Sequence, residues 1–468
     1  MFFTFCHLLR SIFKVSKINA AKKFREFFSE SEVKRVFDAK ILGSRTMGLD
    51  RVDSNNFESK LAAEVELVSR KVLLGKYTFT KYKEKLISKG FGKNPRQLSI
   101  PTIRDRLTLK IICDYLFCIF PEAKPVLPQE SVLKIRDAVD SGAYKYFIKI
   151  DLQDFYPSID HALLYSKLYK RARLEEFKKL ISSAVENPTV AESSVHKFVP
   201  SKKGIAQGLS ISNVLAEIFM LDVGRKISEK YPVFFRFVDD IVVLTNDDPV
   251  DACQQICKIL TSEKLKPHPL DAPGSKTQTG MVADGIEFLG YSIKPEKISV
   301  KKSGLVNFES ALVGVFADYK HRLRRAKTNV EKDAVLARFR WGLNLKITGC
   351  IYKNQRFGWV FYYSQINDLG VLRRIDHTVS HLCKRFGIVS PPNPKRALKA
   401  FYESKRVDKN SHWYIPNYDD MPIPKVRVFL NEVGVDLAGL NDVDVALVFH
   451  KLVRRATRSL EKDIASVS

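Results

Sequence analysis

The stretch FIKIDLQDFYPSID, residues 147–160, begins as a β-branched and aromatic run and meets its first carboxylate, Asp151, where that run ends. Asp154 follows three residues on. A second run, FFRFVDDIVVLT (234–245), places Asp239 and Asp240 at a tight turn between two apolar strands. Carboxylates set side by side among core-type strands repel one another and desolvate badly unless something compensates them. Divalent cations bridged by carboxylates from two strands are one such compensation. Taken alone, an Asp-Asp pair is also what an ordinary hairpin turn uses. The presence of the first acidic cluster upstream favours the metal reading.

The rest of the chain says what such a site would face. Its 468 residues carry 78 Lys and Arg against 52 Asp and Glu, a formal net charge of +26. That excess points to a polyanionic partner and away from an ordinary neutral metabolic enzyme. With 45% apolar residues and average Gly and Pro, the chain can bury a sizeable core and is no disordered basic tail. Seven cysteines without a CxxC pair support neither a disulfide framework nor a zinc site, which favours the reducing cytoplasm. No apolar run is long enough to span a membrane. The opening MFFTFCHLLRSIF lacks the features of a signal peptide and is expected to form a helix packed on the body or on a neighbouring chain.

Along the chain, residues 1–90 read as mostly helical, with Leu61, Val65, Val68 and Val72 at helical spacing. From 91 to 300 short β runs alternate with helices. The segment SNVLAEIFMLDVGRKI (212–227) is an amphipathic helix, and Cys253 and Cys257 lie one helical turn apart. Residues 301–410 hold 23 Lys and Arg against 8 Asp and Glu, densest at HRLRRAK (321–327). PPNPK (391–395) breaks this region, and the last 60 residues look like short helices and turns.

Six segments in this order resemble the core of reverse transcriptases, particularly bacterial ones of the retron, group II intron and phage-defence kinds. RQLSIPTIRDRLTLKII (96–112) resembles the fingers segment, FIKIDLQDFYPSID the motif with the first metal-binding aspartate, and GIAQGLSISNVLAEIF (204–219) the glutamine-glycine motif. FRFVDDIVVL resembles the YxDD-type motif, SKTQTG (275–280) the lysine motif and IEFLGYSI (286–293) the primer grip. The resemblance implies an α+β right-hand polymerase fold: fingers, a ferredoxin-like palm with an antiparallel sheet, and a helical thumb. The expected layout is a helical N-terminal extension and start of the fingers at 1–90, the fingers and palm at 91–300, a basic helical thumb at 301–390 and a C-terminal extension at 391–468.

The resemblance also implies roles. Asp151, Asp239 and Asp240 would bind two Mg²⁺ ions, with Mn²⁺ as a substitute and the Leu152 carbonyl as a further ligand. The two cations would activate a 3′-hydroxyl and stabilise a leaving pyrophosphate. Tyr156 occupies the steric-gate position that selects dNTPs; its bland alternative is a ring packed beneath the sheet. Arg96, helped by Lys93, would hold the triphosphate, and Gln207 would touch the template–nucleotide pair. Lys276 would protonate or neutralise pyrophosphate, or is simply a solvated lysine. Three positions depart from the pattern: Phe237 stands for the usual tyrosine, Val238 fills the variable position, and Asn213 stands where relatives commonly have proline.

Duplex phosphates call for lysine and arginine with aromatics interleaved, and residues 321–365 fit. Arg322, Arg324, Arg325, Lys327, Arg338 and Arg340, with Gly290 and Tyr291 of the primer-grip segment, are the expected nucleic-acid contacts. Trp341, Phe357, Trp359 and Tyr362 are each better core candidates than stacking platforms, while the cluster as a whole is expected to face nucleic acid. SRTMGLDRVDSNNFESKL (44–61) and ITGCIYKNQRFGWVFYYSQIND (347–368) look similar to stand-alone reverse transcriptases of anti-phage defence. Retron-type enzymes come second, because residues 106–146 lack an Asn-Ala-x-x-His signature. The partners implied are a structured non-coding RNA template, a cDNA product and dNTPs, with a second copy of the chain or an effector protein as further options. Priming stays open between an RNA hydroxyl, a protein tyrosine and an unprimed start. A non-enzymatic RNA-binding scaffold would be expected to have lost a metal carboxylate or Arg96, and all are present.

Overall fold

IVVL (241–244) is apolar without alternation because its strand is covered on both faces: Ile241, Val242 and Val243 are fully buried. The computed structural model describes residues 19–44, 46–88, 94–193, 202–270, 272–388, 394–408 and 411–465. Within these, the chain packs as two units, each discontinuous in sequence. The first takes the chain up to Val126, Ile148–Val243 and Asp247–Thr279; the second takes Leu127–Phe147, Leu244–Asn246 and everything from Gly280. These units exchange chain several times along the sequence. The fold mixes helix and sheet throughout, an α+β architecture.

Seven strands belong to the first unit or run through it: β1 (Tyr82–Ile87), β2 (Arg96–Ile100), β3 (Tyr146–Ile150), β4 (Thr189–Val190), β5 (Phe234–Phe237), β6 (Asp240–Thr245) and β7 (Gln278–Met281). One sheet has the order β2-β1-β4, and the other β5-β6-β3-β7. The second sheet thus sets β3 beside β6, the two strands that adjoin the acidic clusters. Helix α1 (Ala20–Phe27) is capped by Asn19, whose side chain accepts from the Lys22 N–H at 3.0 Å. It is followed by α2 (Glu30–Val36) and α3 (Leu61–Leu73). In α3, Val65, Val68 and Val72 are buried as their spacing predicts. Helix α4 (Ile103–Ile119) is buried nearly all round and capped by Thr102. Helices α5 (Ser212–Lys230) and α6 (Pro249–Ser262) complete the elements that support the second sheet.

The described part of residues 1–90 is mostly helical as read, and β1 is an addition to that reading. YKEKLI carries charges at alternate and adjacent positions, so no hydrophobic period marks it. Its strand is defined by antiparallel pairing with β2, from Lys83↔Ile100 to Ile87↔Arg96. The expected helix at residues 1–13, and Cys6 with it, lies outside the described residues.

In the second unit, β8 (Ile286–Phe288), β9 (Tyr291–Lys294) and β10 (Lys297–Val300) form an antiparallel meander. Two long helices follow, α7 (Lys302–Arg325) and α8 (Asn329–Thr348). Thr328 and Glu331 cap α8 reciprocally. β11 (Cys350–Tyr352) and β12 (Gln355–Phe357) form a hairpin whose two loop residues, Lys353 and Asn354, both have positive φ. The chain closes with α9 (Asp442–Ala465), a 24-residue helix where the sequence suggested short helices and turns. Its Val445, Phe449, Val453 and Leu460 join Tyr418, Val426 and Leu430 in one core cluster. Among the described residues no helix is long and apolar enough to cross a membrane.

Candidate active site

β5 and β6 pair antiparallel, and the partnership Phe237↔Asp240 leaves only Val238 and Asp239 to turn the chain. Val238 takes φ +56°, a left-handed conformation that a β-branched residue adopts at a cost of about 1–3 kcal/mol. Arg236 holds the turn in place. Its Nη1 donates to the Val238 carbonyl at 3.0 Å and to Glu217 Oε1 at 2.9 Å, while Nη2 bonds Glu217 Oε2. The pair is largely buried, 12% and 19% exposed. Neither residue was singled out from the sequence. The available signal was one charge in each of two apolar segments, FFRF and NVLAEIF, of opposite sign.

Asp151 leaves β3 with 7% of its surface exposed. Its N–H donates to Thr277 Oγ1 at 3.3 Å, and its carbonyl accepts from the His268 N–H at 2.9 Å. Its carboxylate faces His268 Nε2 at 3.3 Å and Lys276 Nζ at 3.8 Å. Leu152 is bridged to Pro267, and the Gln153 amide lies 3.4 Å from His268 Nδ1. The 266–268 segment therefore fixes the chain on which Asp151 sits, and His268 is a third residue the sequence did not flag.

Asp151 and Asp240 both lie within electrostatic reach of Asp239. Burial pushes the Asp239 carboxyl above the ordinary aspartate range, the charges on Asp240 and Asp151 push the same way, and its own backbone N–H and Lys276 pull it back. No three His, Cys, Asp or Glu side chains among the described residues converge on a metal-ligand arrangement. The fit of a cation here therefore rests on donor chemistry alone: carboxylate oxygens are hard donors, and Lys276, 74% exposed, offsets their negative charge only in part.

Tyr156 is also within electrostatic reach of Asp239, and its hydroxyl donates to Asn213 Oδ1 at 2.6 Å. Burial, then Asp239 and Glu217, push the phenol up to about 12, with Arg236 and Arg96 pulling back. Tyr156 and Arg96 thus join the same electrostatic neighbourhood as Asp239. Gln207 is half-buried, and its carbonyl accepts from the Ser99 N–H of β2 at 2.7 Å. Gly208 follows at φ +97°, where a Cβ would come within 3.2 Å of the Ser99 carbonyl oxygen. The glutamine-glycine turn is therefore tied to β2, the strand that Arg96 begins. Lys93 lies outside the described residues.

The expected nucleic-acid contacts belong to the second unit. Arg324, Arg325 and Lys327 are exposed, and Arg322 is exposed with Nε 2.7 Å from Asp318. Arg338 and Arg340 are half-buried, and Arg338 donates to the Val433 carbonyl at 3.1 and 2.8 Å. Gly290 has φ +76° and accepts from the Lys301 N–H, while Tyr291 is fully buried with its hydroxyl on the Tyr362 carbonyl. Of the four aromatics, Trp359 is buried, as a core candidate should be, and Trp341, Phe357 and Tyr362 are half-buried. Trp359 is 2% exposed and stacks on Phe308 at 4.8 Å, Trp341 Nε1 donates to Tyr418, and Tyr362 donates to the Leu289 carbonyl. Large rings gain more from burial than from solvent-facing positions between cations.

Residues 85–293 match the family described as Reverse transcriptase (RNA-dependent DNA polymerase). Protein YkfC of Escherichia coli K12 is 22% identical over 299 residues, covering 54% of this chain and 76% of that protein. Two solved telomerases are also similar. That of Candida tropicalis, an apo form lacking its C-terminal domain, aligns over 47% of this chain at 16% identity and a TM-score of 0.32. That of Candida albicans, complexed with a fragment of telomeric RNA, aligns over 84% at 13% identity and a TM-score of 0.38. The chain spans 55% and 66% of those two telomerase chains.

Proposed function

From the reverse transcriptase domain that residues 85–293 constitute, we propose a working RNA-directed DNA polymerase with a right-hand architecture, copying an RNA strand into cDNA from dNTPs. The observation that carries the reading is the placing of Asp151 and of the Asp239–Asp240 turn at the ends of the adjacent strands β3 and β6 inside the matched segment, where both Asp151 and Asp240 act on the Asp239 carboxyl. The Asp151, Asp239 and Asp240 carboxylates and the Leu152 carbonyl would hold two Mg²⁺ ions, or Mn²⁺ in their place. Bound there, the ions supply activation of a 3′-hydroxyl and neutralisation of the leaving pyrophosphate.

The protein's own groups divide the remaining work. Arg96, with Lys93, takes the charge of the incoming triphosphate. Tyr156 crowds the ribose 2′ position, and Asn213 keeps its ring from swinging away. Gln207 lies under the template–nucleotide pair on a turn that cannot drift from β2. Lys276, an exposed ammonium beside Asp151, meets the negative charge that develops on the leaving group. In the basic second unit, Arg324, Arg325 and Lys327 contact phosphates of the duplex, with Arg322, Arg338 and Arg340 adding to the positive field. The template is a structured non-coding RNA and the cDNA acts in anti-phage defence; this finer reading rests on the segments 44–61 and 347–368.

Purified protein with a primed RNA template, dNTPs and Mg²⁺ should extend labelled DNA, and Asp239→Ala with Asp240→Ala should abolish extension. A double variant that polymerises as well as wild type would overturn the assignment. Sequencing nucleic acid co-purified with both proteins tests the template, and phage challenge of cells carrying either one tests the defence role.

A further inference from the structure

Helices α7, α8 and α9 of the second unit surround a cavity of about 450 Å³. Four cations line it, Arg322, Arg338, Lys346 and Arg455, against a single acid, Asp318. Asp318 is already taken by Arg322 at 2.7 Å. Arg338 gives Nε and Nη2 to the Val433 carbonyl, and Arg455 makes no hydrogen bond or ion pair among the described residues. Arg338 feels its surroundings: burial lowers its pKa, and Arg322 and Arg455 lower it further. Like charges gathered around a concave space repel unless an anion joins them.

The walls are as distinctive as the charge. Tyr319 and Trp341 both line the space and are half-buried. So do Gly314 of α7 and Gly342 of α8. Glycine is a poor helix former and is usually kept in a helix where a neighbour packs too closely for a side chain. Neither glycine has such a neighbour: a Cβ at either position would meet nothing within 4 Å. Both glycines therefore leave room rather than close a contact.

We propose that this cavity is a nucleotide-binding site, taking a phosphate on Arg455, Arg338 and Lys346 and a base against Tyr319 and Trp341. Its size is that of a small-ligand site, which commonly runs about 300–1,000 Å³. Cations paired with aromatic walls suit one phosphate joined to one flat ring, and a concave space of this volume holds a single unit rather than a length of duplex. The nucleotide is either free or part of a bound strand; the chemistry at the cavity is the same. The inference does not depend on the proposed polymerase site, although it draws Arg322 and Arg338 from the expected nucleic-acid contacts.

The test is calorimetric titration of the full chain with each of the four ribonucleoside 5′-monophosphates, in EDTA and without primer or dNTPs. At least one should bind one-to-one, and its unphosphorylated nucleoside should bind about tenfold more weakly or worse. Arg455→Glu should weaken binding by a similar factor, as should Gly314→Leu, which fills the space from a helical position without lowering Tm. Asp239→Ala with Asp240→Ala should bind as wild type, so loss of polymerisation and loss of this site are told apart. Displacement of the monophosphate by a 5′-phosphorylated RNA octamer, but not by its 5′-hydroxyl form, assigns the site to a strand-borne nucleotide. No displacement by either assigns it to a free one. Absence of binding by all four monophosphates, or binding unchanged in both Arg455→Glu and Gly314→Leu, overturns the proposal.

Discussion

The Tyr156 hydroxyl donates a 2.6 Å hydrogen bond to Asn213 Oδ1. Asn213 is one of three positions where the chain departs from the pattern it resembles, and a proline there could offer no such acceptor. The departure therefore has a structural consequence: the ring proposed to exclude ribose is tied to the start of α5. Losing that bond costs about 1 kcal/mol of positioning. In primer extension, Tyr156→Ala should lose about 1–3 kcal/mol of discrimination between dNTP and rNTP, and Asn213→Ala or Tyr156→Phe a smaller part of it. Unchanged discrimination in all three variants would remove Tyr156 from that role.

The clamp on the Val238 turn leads to a second expectation. Arg236→Met leaves Glu217 buried without its partner and should cost about 3–5 kcal/mol in denaturant unfolding. The double variant Arg236→Met with Glu217→Leu should recover most of that loss, since two apolar side chains replace two charges. Polymerisation should stay impaired in the double variant, because nothing then holds the Val238 carbonyl. Recovery of stability and activity together would show that Arg236 serves the core alone.

Asp105 is a buried hub, accepting from Tyr77 Oη at 2.8 Å, Thr102 Oγ1 at 2.8 Å and the Thr80 N–H at 3.1 Å. Burial pushes its carboxyl above the ordinary aspartate range, and these donors pull it only part of the way back. Asp105→Ala orphans three donors and should cost about 3 kcal/mol or more. A raised carboxyl binds its proton more tightly folded than unfolded. Its contribution is therefore fully present below the unfolded pKa and falls away as pH rises through the folded value. Asp105→Asn should flatten that part of the stability profile, measured by urea unfolding across the acid range.

Glu263 should behave in the opposite sense. Burial would raise its carboxyl, but Lys167 at 2.8 Å and Lys226 at 2.6 Å more than offset this and hold it below the usual glutamate range. Its stabilisation is present above the unfolded pKa of about 4.3 and is lost as pH falls through the lowered folded value. At pH 7, Glu263→Gln leaves the buried Lys167 ammonium without a counter-charge and should cost about 3–5 kcal/mol. The gap between wild type and Glu263→Gln should narrow as unfolding is repeated toward pH 3. A gap that widened on acidification would contradict the assignment.

Much of the local structure around the site was legible. The strands at 146–150, 234–237 and 240–245 and the helix at 212–230 follow from β-branched runs and a clear helical period. β1 was not legible, because its charged residues carry no hydrophobic period and its partner strand defines it. The sequence suggested short helices and turns where the long α9 runs, although Val445, Phe449, Val453 and Leu460 recur at helical spacing along it. Arg236, Glu217 and His268 escaped notice because a single polar residue in an apolar run reads as noise until its partner is known.

The order of the chain settled where carboxylates would stand, since a strand's alternation and a turn's composition are properties of a few neighbouring residues. It also settled the positive charge, which is a matter of counting. Folding decided which groups would meet: Asp151 with His268 across 117 positions, Arg236 with Glu217, and Tyr156 with Asn213. It also turned Trp359 inward and opened the cavity beside Gly314 and Gly342. Local backbone preference reaches only a turn or two along the chain. Contacts between distant segments depend instead on how whole faces pack, which no short window of residues contains.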